Sequence, residues 1–161
     1  MTLRPQIVVL IETYLPVLGG AQNNVHELCR RLSERGFDCE VLTRRCATSH
    51  RRLEVVDGVT IRRSGRFPIR SLAKLFWAVS VTGYLLRRRR RYDLVISVPI
   101  FYWPDLLPAY INRLLTAKPY LVRTTMAGNF GAMLSWSVDS PADLVKKLLF
   151  PPPLWRRVLS S

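Results

Sequence analysis

The 161-residue chain has no apolar run approaching the ~18 residues that a membrane-spanning helix needs. Its opening stretch, MTLRPQIVVLIE, holds only five apolar residues in a row before Glu12, too few for the core of a secretory signal. A cytoplasmic protein is expected, at most peripheral at the inner face of a membrane. Histidine is scarce, with His26 and His50 the only two, and the three cysteines show no C-x-x-C spacing. No metal site is therefore expected, and the odd thiol count reads as reduced cysteine. Three glycine signatures are also missing. Without G-x-G-x-x-G after the first strand a dinucleotide oxidoreductase is disfavoured; without G-x-x-x-x-G-K-[ST] the P-loop NTPases are excluded; and there is no G-x-S-x-G nucleophile elbow. No catalytic residue is assigned.

Acidic residues are few as well: 11 against 25 basic ones, a net charge of +14, with only four of the cations lysine. A chain this basic seeks anions such as nucleotide phosphates, anionic lipid headgroups or nucleic acid, or simply carries a solvated basic surface. Its 48% hydrophobic content is enough for a sizeable core in one domain.

The chain is organised around Ile7 to Gly36. Ile7 to Ile11 is short, β-branched and without alternation, as a strand buried on both faces of a parallel sheet should be. A loop ending in Gly19 and Gly20 follows, and Ala21, Val25, Leu28, Cys29 and Leu32 then repeat with a helical period. Gly36 is placed to close that helix in the left-handed conformation, with Arg30, Arg31 and Arg35 in its last turns opposing the negative end of the dipole. At the other end, unpaired N–H groups and glycines without Cβ make a place for an anion.

Beyond Gly36, Cys39 to Thr43 reads as a second parallel strand. Leu53 to Val56 and Val59 to Arg63 flank Asp57-Gly58 as a hairpin carrying the third. A helix is predicted over Ser71 to Arg91, with Leu72, Leu75, Phe76, Val79 and Leu86 on one face and Trp77, Val81, Tyr84 and Leu85 off it. Its five closing arginines, with Trp77 and Tyr84, have two readings. One is an interfacial anchor in which Arg87, Arg88, Arg90 and Trp77 meet an anionic membrane; the other is a buried crossover helix with a charged end. The run lacks interleaved aromatics and any known recognition motif, so nucleic acid is not an expected partner. Asp93 to Ile100 is a fourth strand. A helix to about Leu115 follows, with Leu107, Ile111, Leu114 and Leu115 inward, and Lys118 to Thr124 is the fifth strand. The alternation predicts an open, doubly wound parallel α/β sheet, Rossmann-like, of order 3-2-1-4-5. Ligands in such sheets lie beyond the carboxyl ends of the strands where the order reverses, among loops 12–20, 44–46, 97–103 and 125–131.

The run E-T-Y-x-P-x-x-G-G from Glu12 to Gly20, the helix V-H-E-L-C-R-R-L-S-E-R-G and the strand C-E-V-L-T resemble the N-terminal domain of family 4 glycosyltransferases. More loosely, D-G-V-x-I-x-R, Y-D-L-V-I-S and K-P-Y-L-V-R-T-T carry the resemblance to about Thr125. It implies the N-terminal half of a GT-B enzyme, with residues 1–130 as that domain and 131–161 as an incomplete helical tail. It implies a nucleotide-sugar as co-substrate with no further cofactor, and an acceptor that is a glycan or lipid-linked. Gly19 and Gly20 would approach the donor diphosphate and the acceptor, unless they only make a tight turn into the helix. Gln22 and Asn23 would cap the helix or bond a sugar hydroxyl. Glu12 and Tyr14 would face the crevice or order the loop. Met126 and Gly128 would lie beside the acceptor.

Two departures qualify the resemblance. Many relatives read T-x-H-G where this chain has Thr125-Met126-Ala127-Gly128, so Ala127 stands in place of a histidine near the reacting sugar. Nothing after residue 130 matches the family's donor-binding domain, so the expectation is the acceptor-side half of a GT-B enzyme: a naturally short chain, a gene fragment, or one subunit of a split enzyme whose donor domain is a separate partner. The rival expectation is a non-catalytic basic module for anionic membranes or acidic polymers.

Overall fold

The computed structural model describes residues 4–17, 19–64, 70–99 and 103–123, without the side chains of 70, 71 and 103–105. These residues fall in one compact unit, Met1–Thr125; the second unit, Met126–Ser161, lies outside them, and so do the expectations placed on Met126, Gly128 and the tail.

The elements are β1 (Gln6–Leu10), α1 (Gly20–Glu34), β2 (Asp38–Arg44), β3 (Leu53–Val56), β4 (Val59–Ser64), α2 (Arg70–Arg87), β5 (Leu94–Ser97), α3 (Trp103–Thr116) and β6 (Tyr120–Val122). Six strands form one sheet in the order β3-β4-β2-β1-β5-β6. All neighbours are parallel except β3 and β4, and the predicted order gains β3 as an antiparallel edge. Chain progress runs outward from β1 through β2 to β4, then restarts on the other side at β5. The order therefore reverses between β1 and β5.

Local chemistry explains the element ends. Asp57 and Gly58 have φ of 49° and 76°, the double positive pair of a type I′ turn whose twist suits a two-residue hairpin. Gly36, at φ 88°, closes α1: its N–H bonds the Ser33 carbonyl and the Phe37 N–H bonds the Leu32 carbonyl, the paired bonds of a Schellman motif. Leu32 and Phe37 both pack against the core beneath α1, which adds the apolar contact that usually accompanies this cap. On the outer face of α1, bonds from Arg30 and Arg31 hold the exposed Glu27 carboxyl down at about 2.

β1 alternates between two cores. Ile7, Val9 and Ile11 join Val25 and Cys29 beneath α1; Val8 and Leu10 join Trp77, Val81, Leu85 and Ala109 beneath α2 and α3. Burial on both faces accounts for the continuous apolar run. Cys29, Cys39 and Cys46 are free thiols, and the neighbouring Cys39 together with burial pushes the Cys29 thiol above its ordinary value.

Two helices differ from expectation. α2 ends at Arg87, and Arg88 to Arg91 form a turn in which the Arg91 N–H bonds the Arg88 carbonyl. Its buried face is Ala73, Trp77, Ala78, Val81 and Leu85, while Leu72, Leu75, Phe76 and Val79 are exposed. Trp77 is 0% exposed, so it is removed from any membrane surface. Tyr84 is engaged too, donating its hydroxyl to the buried Glu40 carboxylate at 2.8 Å with Arg88 stacked 5.1 Å from its ring. On α3 the inward residues are Leu106, Ala109 and Asn112, whereas Leu114 and Leu115 are exposed. Asn112 Oδ1 accepts a bond from Tyr92, whose hydroxyl also reaches the Leu85 carbonyl, and this buried polar tie joins α3 to α2.

Candidate functional site

The site is built at the carboxyl edge of β1, beside the reversal of strand order. Past Leu10 the chain stays bound to its neighbour: the Arg44 N–H and the Thr43 hydroxyl both donate to the Glu12 carbonyl, at 2.9 and 3.0 Å. This holds Glu12 at the mouth of the β1–β2 seam. Its side chain is 0% exposed and Arg44 Nε stands 3.1 Å from Oε1. The angle is poor, and among the described residues neither carboxylate oxygen receives a hydrogen bond. A buried carboxylate with a cation beside it and unused lone pairs is an acceptor waiting for O–H or N–H donors, since leaving such a group unsatisfied is costly.

Gly19 is the N-cap of α1, with extended backbone and no side-chain cap, and the first turn contains no acidic residue. The first intrahelical bond runs from the Asn23 N–H to the Gly19 carbonyl at 3.0 Å. The N–H groups before it have no helical acceptor, and the dipole favours an anion there. A Cβ on Gly19 would meet Gln22 Oε1 at 2.5 Å, while one on Gly20 would meet nothing within 4 Å. A side chain at Gly19 would thus have to displace the Gln22 amide, and Gly20 faces open space.

The other expected site residues divide. Gln22 is buried and donates to the Thr13 carbonyl at 3.3 Å, ordering the loop; Asn23 is exposed on the first turn. Tyr14 turns inward, away from the crevice. It is 2% exposed, sits in the core beneath α1, and its hydroxyl lies 2.9 Å from His26 Nδ1. His26 Nε2 in turn lies 2.9 Å from Asp57 Oδ2 in the hairpin turn. The imidazole thus bridges tyrosine and aspartate through both of its ring nitrogens. Burial raises the Tyr14 hydroxyl above its ordinary value, which keeps it a donor. This tie joins the glycine loop, α1 and the hairpin. The histidine's neighbours in sequence carried no sign of it, because its partners are 12 and 31 positions away.

Among the described residues no cluster of three or more His, Cys, Asp or Glu side chains could hold a metal ion. Nor is any helix among them long and apolar enough to cross a membrane.

A mostly parallel sheet with helices on both faces, a reversal of strand order at β1, and a glycine-led helix N-terminus define a Rossmann-like domain of the GT-B type. The sequence matches the family described as Glycosyltransferase Family 4 over residues 18–125, and the chain belongs to that family as its N-terminal domain. Among solved structures it is similar to sucrose-phosphate synthase from Thermosynechococcus elongatus, with a TM-score of 0.63 and 14% identity over 88% of this chain. A second structure of that enzyme, from a twinned crystal, gives a TM-score of 0.55 and 15% identity over 80% of this chain and 67% of the other. The chain spans only 39% of the first of these structures, and at such identities the likeness is one of fold. No curated protein sequence matches significantly.

Proposed function

We propose that this chain is the acceptor-side half of an enzyme that transfers a sugar from a nucleotide-sugar to an acceptor hydroxyl, completed by a donor-binding domain. The observation that carries the reading is that one short loop carries both a helix N-terminus without a side-chain cap, at Gly19–Gly20, and the buried Glu12 carboxylate, which accepts no hydrogen bond among the described residues. Backbone N–H groups and the helix dipole stabilise charge that develops on a departing diphosphate. The Glu12 carboxylate accepts a hydrogen bond from the acceptor and orients it, and Asn23 supplies a further amide on the exposed first turn. No cofactor beyond the nucleotide-sugar is invoked.

Gly20→Val tests the loop. No neighbour lies where the added Cβ would go, so folding is expected to be normal, while the branched side chain occupies the approach to the helix end. With the donor domain present, transfer of labelled sugar is expected to fall more than about tenfold, over 1.4 kcal/mol of transition-state stabilisation. The 161-residue chain alone is expected to transfer nothing. Turnover by the chain alone, or a Gly20→Val rate within about twofold of the parent, overturns the reading.

A cytoplasmic, peripheral location belongs to the same proposal, on a corrected surface. Leu72, Leu75 and Val79 are 39%, 44% and 62% exposed along α2, and the helix runs into the exposed Arg87, Arg89, Arg90 and Arg91. An apolar stripe ending in cations suits an anionic bilayer interface, with each arginine near the surface contributing about 1 kcal/mol. Sedimentation with phosphatidylserine vesicles is expected at low salt, to weaken as salt rises, and to be lost in Arg87→Gln/Arg89→Gln/Arg90→Gln. Equal binding by parent and variant would leave the arginine run as a solvated helix end.

A further inference from the structure

A second recess lies along the same carboxyl edge, on the β4 side of the glycine loop. Its volume is about 510 Å³, which suits a small organic ligand. Leu15 and Pro16 of the loop after β1 form one wall, His50 and Arg51 of the loop between β2 and β3 another, and Glu54 and Arg63 of the hairpin strands the third.

Arg63 clamps these walls together. Its side chain is 2% exposed, and its guanidinium donates to the Leu15 carbonyl at 2.7 Å, the Arg51 carbonyl at 3.1 Å and Glu54 Oε1 at 2.5 Å. Burying an arginine is unfavourable compared with a well-packed apolar residue. Here the charge holds three separate segments in register, so the recess exists before any ligand arrives. The loop between β2 and β3 is pinned as well: Arg45 donates to the carbonyls of Thr48 at 2.7 Å and His50 at 2.9 Å.

The charges divide in a definite way. Arg63 is neutralised by Glu54, and Arg44 is paired with Glu12. The segment from Arg44 to Arg52 contains four arginines, one histidine and no acid. The side chains of His50 and Arg51 have no hydrogen bond or ion pair among the described residues. The Arg51 guanidinium and the His50 imidazole, both unengaged among the described residues, thus stand beside an apolar wall, with the Glu54 carboxylate also lining the recess.

We infer that this recess binds the acceptor, and that the acceptor is a sugar carrying an oxyanion, a phosphate or a carboxylate. Arg51 and His50 hold the oxyanion, the apolar face of the ring lies on Leu15 and Pro16, and Glu54 accepts a hydroxyl. The inference names the acceptor class for the transfer proposed above and rests on that reading. Its binding site shares the loop that carries Glu12 and Gly20.

The test uses the 161-residue chain without any donor, with glucose, glucuronate, glucose 6-phosphate and inorganic phosphate as probes in calorimetric titrations. Glucose 6-phosphate, glucuronate or both are expected to bind, and glucose is not; the preferred arm tells phosphate from carboxylate. His50→Ala/Arg51→Ala, a change at two solvent-facing side chains, is expected to weaken binding about tenfold or more. Arg4→Gln/Arg35→Gln, two exposed arginines at the amino end of the sheet, is expected to leave it unchanged. The inference is overturned if neither sugar anion binds at millimolar concentration, if inorganic phosphate binds as tightly as the sugar phosphate, or if the Arg4/Arg35 control loses as much affinity. Binding without any sugar transfer by the completed enzyme would count against the transfer reading alone. Transfer without binding of sugar anions would count against the acceptor class alone.

Discussion

Trp77→Ala is expected to remove about 3–5 kcal/mol of folding stability, as large-to-small changes of buried aromatics do. Trp77 is fully buried on α2 and packs with Val8, Leu10, Val81 and Leu85, so its loss opens a void between helix and sheet that the sheet cannot collapse to fill. The melting temperature should drop on the order of 10–20 °C. The denaturant midpoint should fall with little change in slope. Trp77→Phe separates packing from polarity. The indole N–H has no hydrogen-bond partner among the described residues, so phenylalanine relieves an unsatisfied donor while leaving a smaller void. A small net change is expected for Phe beside the large one for Ala. An alanine variant that melts within a few degrees of the parent would mean that α2 does not seal the core as described.

Arg63→Leu is expected to cost roughly 1–3 kcal/mol, for the opposite reason. The substitution suits a buried site in size and polarity. It strands the Glu54 carboxylate and leaves the Leu15 and Arg51 carbonyls without their donor. Arg63→Leu/Glu54→Leu removes the stranded charge and should recover a good part of the loss, a coupling readable from a double-mutant cycle in urea. If the single variant loses less than about 1 kcal/mol, the clamp is not under load, since three hydrogen bonds from a buried charged group are lost.

Both residues show where sequence patterning ends. In β4, Val59, Ile61 and Arg63 share the period of two that sends alternate residues inward, and all three are buried. The alternation alone would have placed Arg63 inside. Its partner at Leu15 is 48 positions away, and nothing local announces it. In α2 the apolar residues surround the helix, so a period of 3.6 cannot select a face. The face holding Leu72, Leu75 and Val79 looked as eligible as the one holding Trp77 and Leu85. The two-helix layer decides between them, because only the latter meets β1, β5 and α3.

Short-range chemistry, by contrast, was fully readable. The Asp57-Gly58 pair needs two positive φ angles, the Gly36 cap needs one, and the β-branched run at Ile7 to Ile11 cannot be solvated on either face; each constraint acts within a few residues and has one structural answer. The family pattern around Glu12 to Gly20 is local in the same sense. The sequence by itself therefore determined the alternation of strands and helices, the hairpin, and the position of the glycine-led helix end. Only the tertiary structure decided that Tyr14 serves His26 and the core, that Glu12 is left with open lone pairs, and that three distant segments meet on Arg63 to frame a pocket. Those outcomes depend on which strands become neighbours, and strand order joins groups that are far apart along the chain.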